Sequence, residues 1–127
     1  MVEKKNYWVF VAKDEDSVSD LRRGVWHLFP WTKYRKQLRP SDHVVFYRVG
    51  RKVFWGTAII DSVEGLTVRL KNVRMWRRPV PAGEVVSKLA LTKGRRNWGA
   101  FFQSGVVKLG KGDYELLMEL GKENIEG

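Results

Sequence analysis

The chain has 127 residues, 43% of them hydrophobic and 13% aromatic, with no cysteine and a formal net charge of +10. This size and composition fit one packed domain over residues 1–127, are too small for two good cores, and argue against disorder. The absence of cysteine excludes disulfides, thiolate catalysis and cysteine-based zinc sites, and no apolar run is long enough to cross a bilayer. The charged start MVEKKN does not read as a signal peptide, so the expected compartment is the cytoplasm.

In chain order, YWVFVA (7–12) is apolar on both alternating faces and predicts a strand covered on both sides. DEDSVSDLRR (14–23) predicts a helix: Asp14 or Asp16 caps it, acids fill its first turn, Arg22 and Arg23 its last, and Gly24 ends it. GVWHLFPWTKYRKQLRP (24–40) has neither helical nor strand periodicity and reads as a loop mixing flat rings with cations. Pro40-Ser41-Asp42 signals a turn, HVVFYRV (43–49) a second strand, and Gly50-Arg51-Lys52 a turn into VFWGTAII (53–60). Gly56 inside that third strand marks a bulge or a close backbone approach. After Glu64-Gly65, LTVRLKNVRMW (66–76) alternates cleanly until a phase slip at Asn72-Val73, and Pro79 and Pro81 are expected to stop it. GEVVSKLAL (83–91) reads as a short helix, TKGRRNWG (92–99) as a basic loop and GVVKL (105–109) as a last strand. YELLMELGKEN (114–124) closes as an amphipathic helix with Tyr114, Leu117, Met118 and Gly121 on one face. The expected fold class is α+β: a small curved sheet or open barrel flanked by short helices.

Charge is unevenly spread. From Lys33 to Lys111, eighteen Lys or Arg face four acids, Asp42, Asp61, Glu64 and Glu84, while the other acids gather toward the two ends. A basic middle with acidic ends favours an anionic polymer as partner. The plain alternative is a thermophile-style surface of solvated cations, although such surfaces usually add Glu together with Lys.

Three stretches resemble the EVE domain, a branch of the PUA-like superfamily that also holds the YTH and ASCH domains. They are YWVFVAKDEDSVSDLRRGVW (7–26), LRPSDHVVFYRVGRKVFWGTAII (38–60) and RRNWGAFFQSGVVKLGKGDYELL (95–117), in the family's order. The resemblance implies a PUA-like small curved mixed β-barrel and recognition of a modified base in an aromatic-walled pocket. In the YTH relatives, the Trp of Gly-Val-Trp is one wall of that pocket, and the role falls here on Trp26. The segment Ala12-Lys13-Asp14 would line the same pocket. Two departures matter. YTH domains often carry Ser-Asn where this chain has Ala12-Lys13, and Lys donates but cannot accept. They also carry a long insertion bearing a second Trp where this chain has only DSVEG, so methyladenine specificity does not carry over. Trp31, Trp76 or Trp98 would have to supply the missing wall, or the pocket is half open.

The candidate base pocket is therefore Trp26, Ala12, Lys13, Asp14, His27, Phe29, Trp31, Trp98 and Asn97. Stacking on an aromatic platform is worth roughly 1–3 kcal/mol per base. From composition alone Trp26 and Trp31 read as caps on the barrel end, and only the resemblance turns Trp26 toward a ligand. Trp98 serves equally as a second platform or as a plug. Trp8 and Trp55, among apolar strand neighbours, read as core. Lys33, Arg35, Lys36, Arg39, Arg74, Arg77, Arg78, Lys93, Arg95 and Arg96 are the candidate phosphate contacts, each taken singly a solvated surface cation, persuasive only by number. His27 and His43 show no metal-ligand spacing and no glycine-rich phosphate loop occurs, so neither metal nor cofactor is expected.

The function expected is a monomeric module, not an enzyme, that reads a base in single-stranded or flipped-out RNA or DNA. Two rivals remain open. One is a small hydrolase of a modified nucleobase or nucleoside, in which Lys13 and Glu84 would mimic the lysine and glutamate of some ASCH relatives. The other is a docking module for an acidic protein.

Overall fold

A computed structural model describes residues 5–90 and 105–122; the expectations for Lys93, Arg95, Arg96, Asn97 and Trp98 lie outside the described residues. Among the described residues six strands form one mixed sheet: β1 (Tyr7–Ala12), β2 (Val25–His27), β3 (His43–Arg48), β4 (Val53–Glu64), β5 (Thr67–Pro81) and β6 (Val106–Leu109). Two helices accompany it, α1 (Glu15–Arg22) and α2 (Lys111–Lys122). The order across the sheet is β2-β5-β4-β3-β1-β6. Among the described strands only the β1–β3 pair is parallel, with Tyr7 opposite His43 and Ala12 opposite Arg48.

The sheet curls, and one contact proves it. Trp26 on edge strand β2 stacks on Phe10 of β1, ring centroids 5.4 Å apart and planes 18° apart, although three strands separate them in the sheet. The curl comes from β4 and β5, whose pairing shifts register three times. Gly56 sits at the first shift, where an added Cβ would lie 2.7 Å from the Arg74 carbonyl oxygen. Both expectations for this glycine, bulge and close approach, describe what is found. Asn72 takes a positive φ at the predicted phase slip.

Strand alternation feeds two cores. Trp8, Phe10, Val44, Phe46 and Trp55 point into one, closed by Val18 and Leu21 of α1. Val9, Val11, Val45, Tyr47 and Phe54 point into the other, closed by Leu117 of α2. Two-sided burial is why these segments read as continuous apolar runs rather than alternating ones.

Three sequence expectations are corrected. The 24–40 segment is not all loop: Val25–His27 is strand, because β5 offers it a partner edge with Trp26 opposite Val68. The prolines do not stop the fifth strand, which runs to Pro81. On its β2 side the last partner among the described residues is the Gly24 carbonyl, which accepts the Leu70 N–H at 2.8 Å, and past that point a missing N–H costs little. The helix expected at 83–91 is a 3-10 turn at Ala82–Glu84 followed by turns, since Gly83 and two β-branched valines disfavour helix. Its Val85 and Leu89 still reach the second core.

Where α2 meets the sheet, Tyr7, His43 and Tyr114 form an aromatic cluster, and His43 Nδ1 lies 3.1 Å from the Tyr114 hydroxyl. Burial, reinforced by the charge of Lys5 and opposed by Asp42, holds the His43 imidazole below its ordinary value of 6.5. The unfolded chain thus takes up the proton first as pH falls. The stability due to neutral His43 is complete above about pH 6.5 and is lost as pH drops from there toward the lowered folded value. Thermal unfolding between pH 7.5 and 5 should show this decline, and His43→Gln should flatten it.

Candidate functional site

A cavity of about 580 Å³ opens where the end of β1, the first turns of α1, β2 and the following loop converge. Each wall has a sequence reason. Asp14 caps α1, its carboxylate accepting the Ser17 N–H at 2.8 Å, and this contact holds the carboxyl below its usual range. Ser17 and Asp20 follow at helical spacing of three, so Asp14, Ser17 and Asp20 form one polar wall. Gly24 ends the helix region with a φ of +80°, and its ideal Cβ would come within 2.9 Å of the Leu70 carbonyl oxygen. Only glycine fits that conformation and that space, and it sets β2 against β5.

Trp26 and His27 of β2 form the opposite wall. Trp26 is only 7% exposed: one part of the indole packs on Phe10 in the first core while another faces the cavity. The ring is thus neither sealed in nor free. Buried Leu28 and Leu38 and half-buried Tyr34 anchor the following loop in the first core. Between these anchors Phe29 and Trp31 project outward, 57% and 77% exposed, and complete the rim with Thr32 and Lys33. Their rings lie parallel within 7° at 5.0 Å. Phe29 N–H donates to Thr32 Oγ1 at 2.8 Å, Thr32 N–H donates back to the Phe29 carbonyl at 3.0 Å, and Arg35 Nε donates to the Pro30 carbonyl.

Of the expected pocket residues, Trp26, Lys13, Asp14, His27, Phe29 and Trp31 line this cavity. Ala12 is fully buried between two lining residues and turned into the core. Trp76 is no wall, because it is buried in the second core under α2. Among the expected phosphate contacts Lys33 lies on the rim, whereas Arg35, Lys36, Arg39, Arg74, Arg77 and Arg78 do not line the cavity. Arg35 and Arg39 direct guanidinium N–H groups to carbonyls of their own loop. The rim is not purely cationic: Lys13 and Lys33 stand against Asp14 and Asp20.

Val11, Ser17, Asp20, Thr32 and Gly105 also line the cavity and were not foreseen. The spacing from Asp14 marks Ser17 and Asp20 in the sequence; nothing local marks Val11 or Gly105. Chemically the cavity offers flat apolar faces on one side and donors and acceptors on the other. His27 Nε2 lies 3.8 Å from Asp20 Oδ2, beyond hydrogen-bond reach. Glu84 neither lines the cavity nor pairs with Lys13. Among the described residues no group of His, Asp and Glu could hold a metal ion, and no helix is long and apolar enough to cross a membrane.

No known family profile matches the sequence, and no curated protein matches it significantly. Solved structures do. A protein of Agrobacterium tumefaciens, Atu2648, is similar over 91% of this chain and 92% of its own, with TM-score 0.65 and 13% identity. The Mmi1 YTH domain is similar over 94% of this chain and 90% of its own, with TM-score 0.65 and 14% identity. The YTH domain of Zygosaccharomyces rouxii MRB1, solved in complex with N6-methyladenosine RNA, is similar over 95% of this chain and 87% of its own, with TM-score 0.63 and 12% identity. At such identities the likeness establishes the fold: an α+β, PUA-like curled mixed sheet with two short helices, shared with YTH domains.

Proposed function

We propose that this chain is a nucleic-acid-binding module of the EVE branch, one domain acting as a monomer in the cytoplasm, that holds a single modified base against Trp26. The observation that carries the reading is the indole at the wall of an open cavity of about 580 Å³, a size typical of small-molecule sites. The YTH domain of Z. rouxii MRB1, which shares the fold, was solved with N6-methyladenosine RNA, and this supports RNA carrying a methylated base as the ligand class. The short Glu64-Gly65 hairpin, in place of a long insertion, supports the EVE branch. In this reading Trp26 stacks on the base, while Lys13, Ser17 and Asp20 meet its edge. Lys33 takes the adjoining phosphate, and Arg74, Arg77 and Arg78 provide a basic surface farther along the strand. An added methyl gains apolar contact and removes a donor that would otherwise need a partner.

Trp26→Ala is a poor test, because it also guts the first core, at about 3–5 kcal/mol. Gly105→Leu is better. An added Cβ there meets only the rim of the Trp26 ring, at 3.9 Å, so the longer side chain enters the cavity without forcing the backbone. Fluorescence titration with short RNA and DNA oligonucleotides, unmodified or bearing one methylated base, should show a preference for the methylated strand in the native protein and none in Gly105→Leu. The melting temperature should move by only about 2 °C, as for substitutions outside the packed core. A preference that survives this change would place the base elsewhere. Equal weak binding of every strand by the native protein would leave only a docking surface for acidic partners.

A further inference from the structure

The Phe29–Trp31 pair is more than a rim. Large apolar rings are normally covered, yet among the described residues these are two of three large hydrophobic side chains left exposed, and Trp31 at 77% is the most open. They are not loosely displayed. The turn that carries them is closed by the reciprocal Phe29–Thr32 hydrogen bonds and braced by Arg35 on Pro30. A centroid separation of 5.0 Å between parallel planes leaves no room for a third ring between the two. Their use must therefore be on the outer faces, beside the cavity mouth. Lys33, two residues on, also lines the mouth, so a phosphate leaving the cavity would pass between cavity and platform.

Resting on the proposed base-binding reading, we infer that Trp31 is a second stacking platform for the nucleotide next to the one in the cavity. The ligand is then a single strand of at least two nucleotides with both bases unstacked from any complement. A base flipped from an intact duplex does not satisfy this, since its neighbours remain paired and offer no free face. Continuity with the cavity, the flat parallel geometry and the adjacent cation favour a nucleobase over a protein side chain as occupant.

The test keeps phosphate number constant. N6-methyladenosine is placed centrally in an RNA trinucleotide whose flanking positions carry either bases or abasic sites, and each is titrated against native protein and Trp31→Ala. The N6-methyladenosine monophosphate serves as a third probe. Flanking bases should tighten native binding by roughly 5- to 150-fold over abasic flanks, the range for one stacked base. Trp31→Ala should reduce that ratio to about one, whatever it does to the affinity for the monophosphate, and shift the melting temperature by about 2 °C or less. A ratio near one in the native protein, with the monophosphate still bound, overturns this inference alone. A ratio that Trp31→Ala leaves unchanged does the same. Failure of these probes and of every methylated strand in the titration above to bind overturns the base-binding reading and this one together. Sedimentation is the third arm: micromolar self-association abolished by Trp31→Ala would make the rings a contact between copies and refute the platform.

Discussion

Asp42→Ala should cost about 3–4 kcal/mol and lower the melting temperature on the order of 10–15 °C. The carboxylate is buried and accepts three N–H groups. The Trp8 indole donates to Oδ2 at 2.9 Å, the Arg39 backbone to Oδ2 at 3.0 Å, and the Asn6 backbone to Oδ1 at 3.1 Å. One side chain thus ties the start of β1 to the turn entering β3 and fixes the far end of the cavity loop. Alanine leaves the Trp8 N–H, at the bottom of the first core, without an acceptor. The informative control is Asp42→Asn, which can keep an oxygen where Trp8 and Arg39 need one and lose only the bond to Asn6. It should cost roughly half as much as alanine in urea titrations followed by fluorescence. Equal losses would mean that charge, not hydrogen-bond direction, holds this corner.

Gly121→Ala should cost about 2–3 kcal/mol through a single methyl group. An ideal Cβ at Gly121 falls 2.4 Å from two carbons of the Trp76 ring, which is buried and flat and has no flexible end to move aside. The helix face carrying Leu117 and Gly121 can seat on the sheet only because glycine leaves this space. Trp76→Leu removes the obstruction, so the double variant should be more stable than the two single losses added together, by about 1 kcal/mol or more. Simple additivity would show that α2 shifts rather than clashes.

How much of this was legible depended on the distance over which each feature is decided. The β1 strand and α1 are local. A two-sided apolar run, an Asp14 cap and a glycine stop carry their own information, and their bounds follow from the sequence within a residue. The three residues of β2 carry none, since only the edge of β5, some forty positions later, makes them a strand. Flanking arginines make Trp76 look available, but the slip at Asn72 changes which face the following residues present, and the second core takes it. The cavity was half legible for the same reason. Its aromatic wall lies in one continuous segment, of which the family resemblance marks Trp26 alone, whereas Val11 and Gly105 reach it from just beyond one end of the β1–β6 pairing. Of the opposing aspartates, Asp14 is marked by its cap position and by the resemblance, whereas Asp20 is marked only by its spacing on α1.

The position of β1 has a consequence for how the molecule comes into being. It is hydrogen-bonded on one side to β3 and on the other to β6, with Val9 opposite Val107. β1 leaves the ribosome well before β6 and must wait for it before both its edges are filled, and pairing across such sequence separations is slow. Val11 N–H donates to the Gly105 carbonyl at 2.9 Å, and both residues line the cavity. The cavity is therefore completed late in assembly, and a nascent chain that has not yet delivered β6 carries the aromatic loop with no enclosed space behind it.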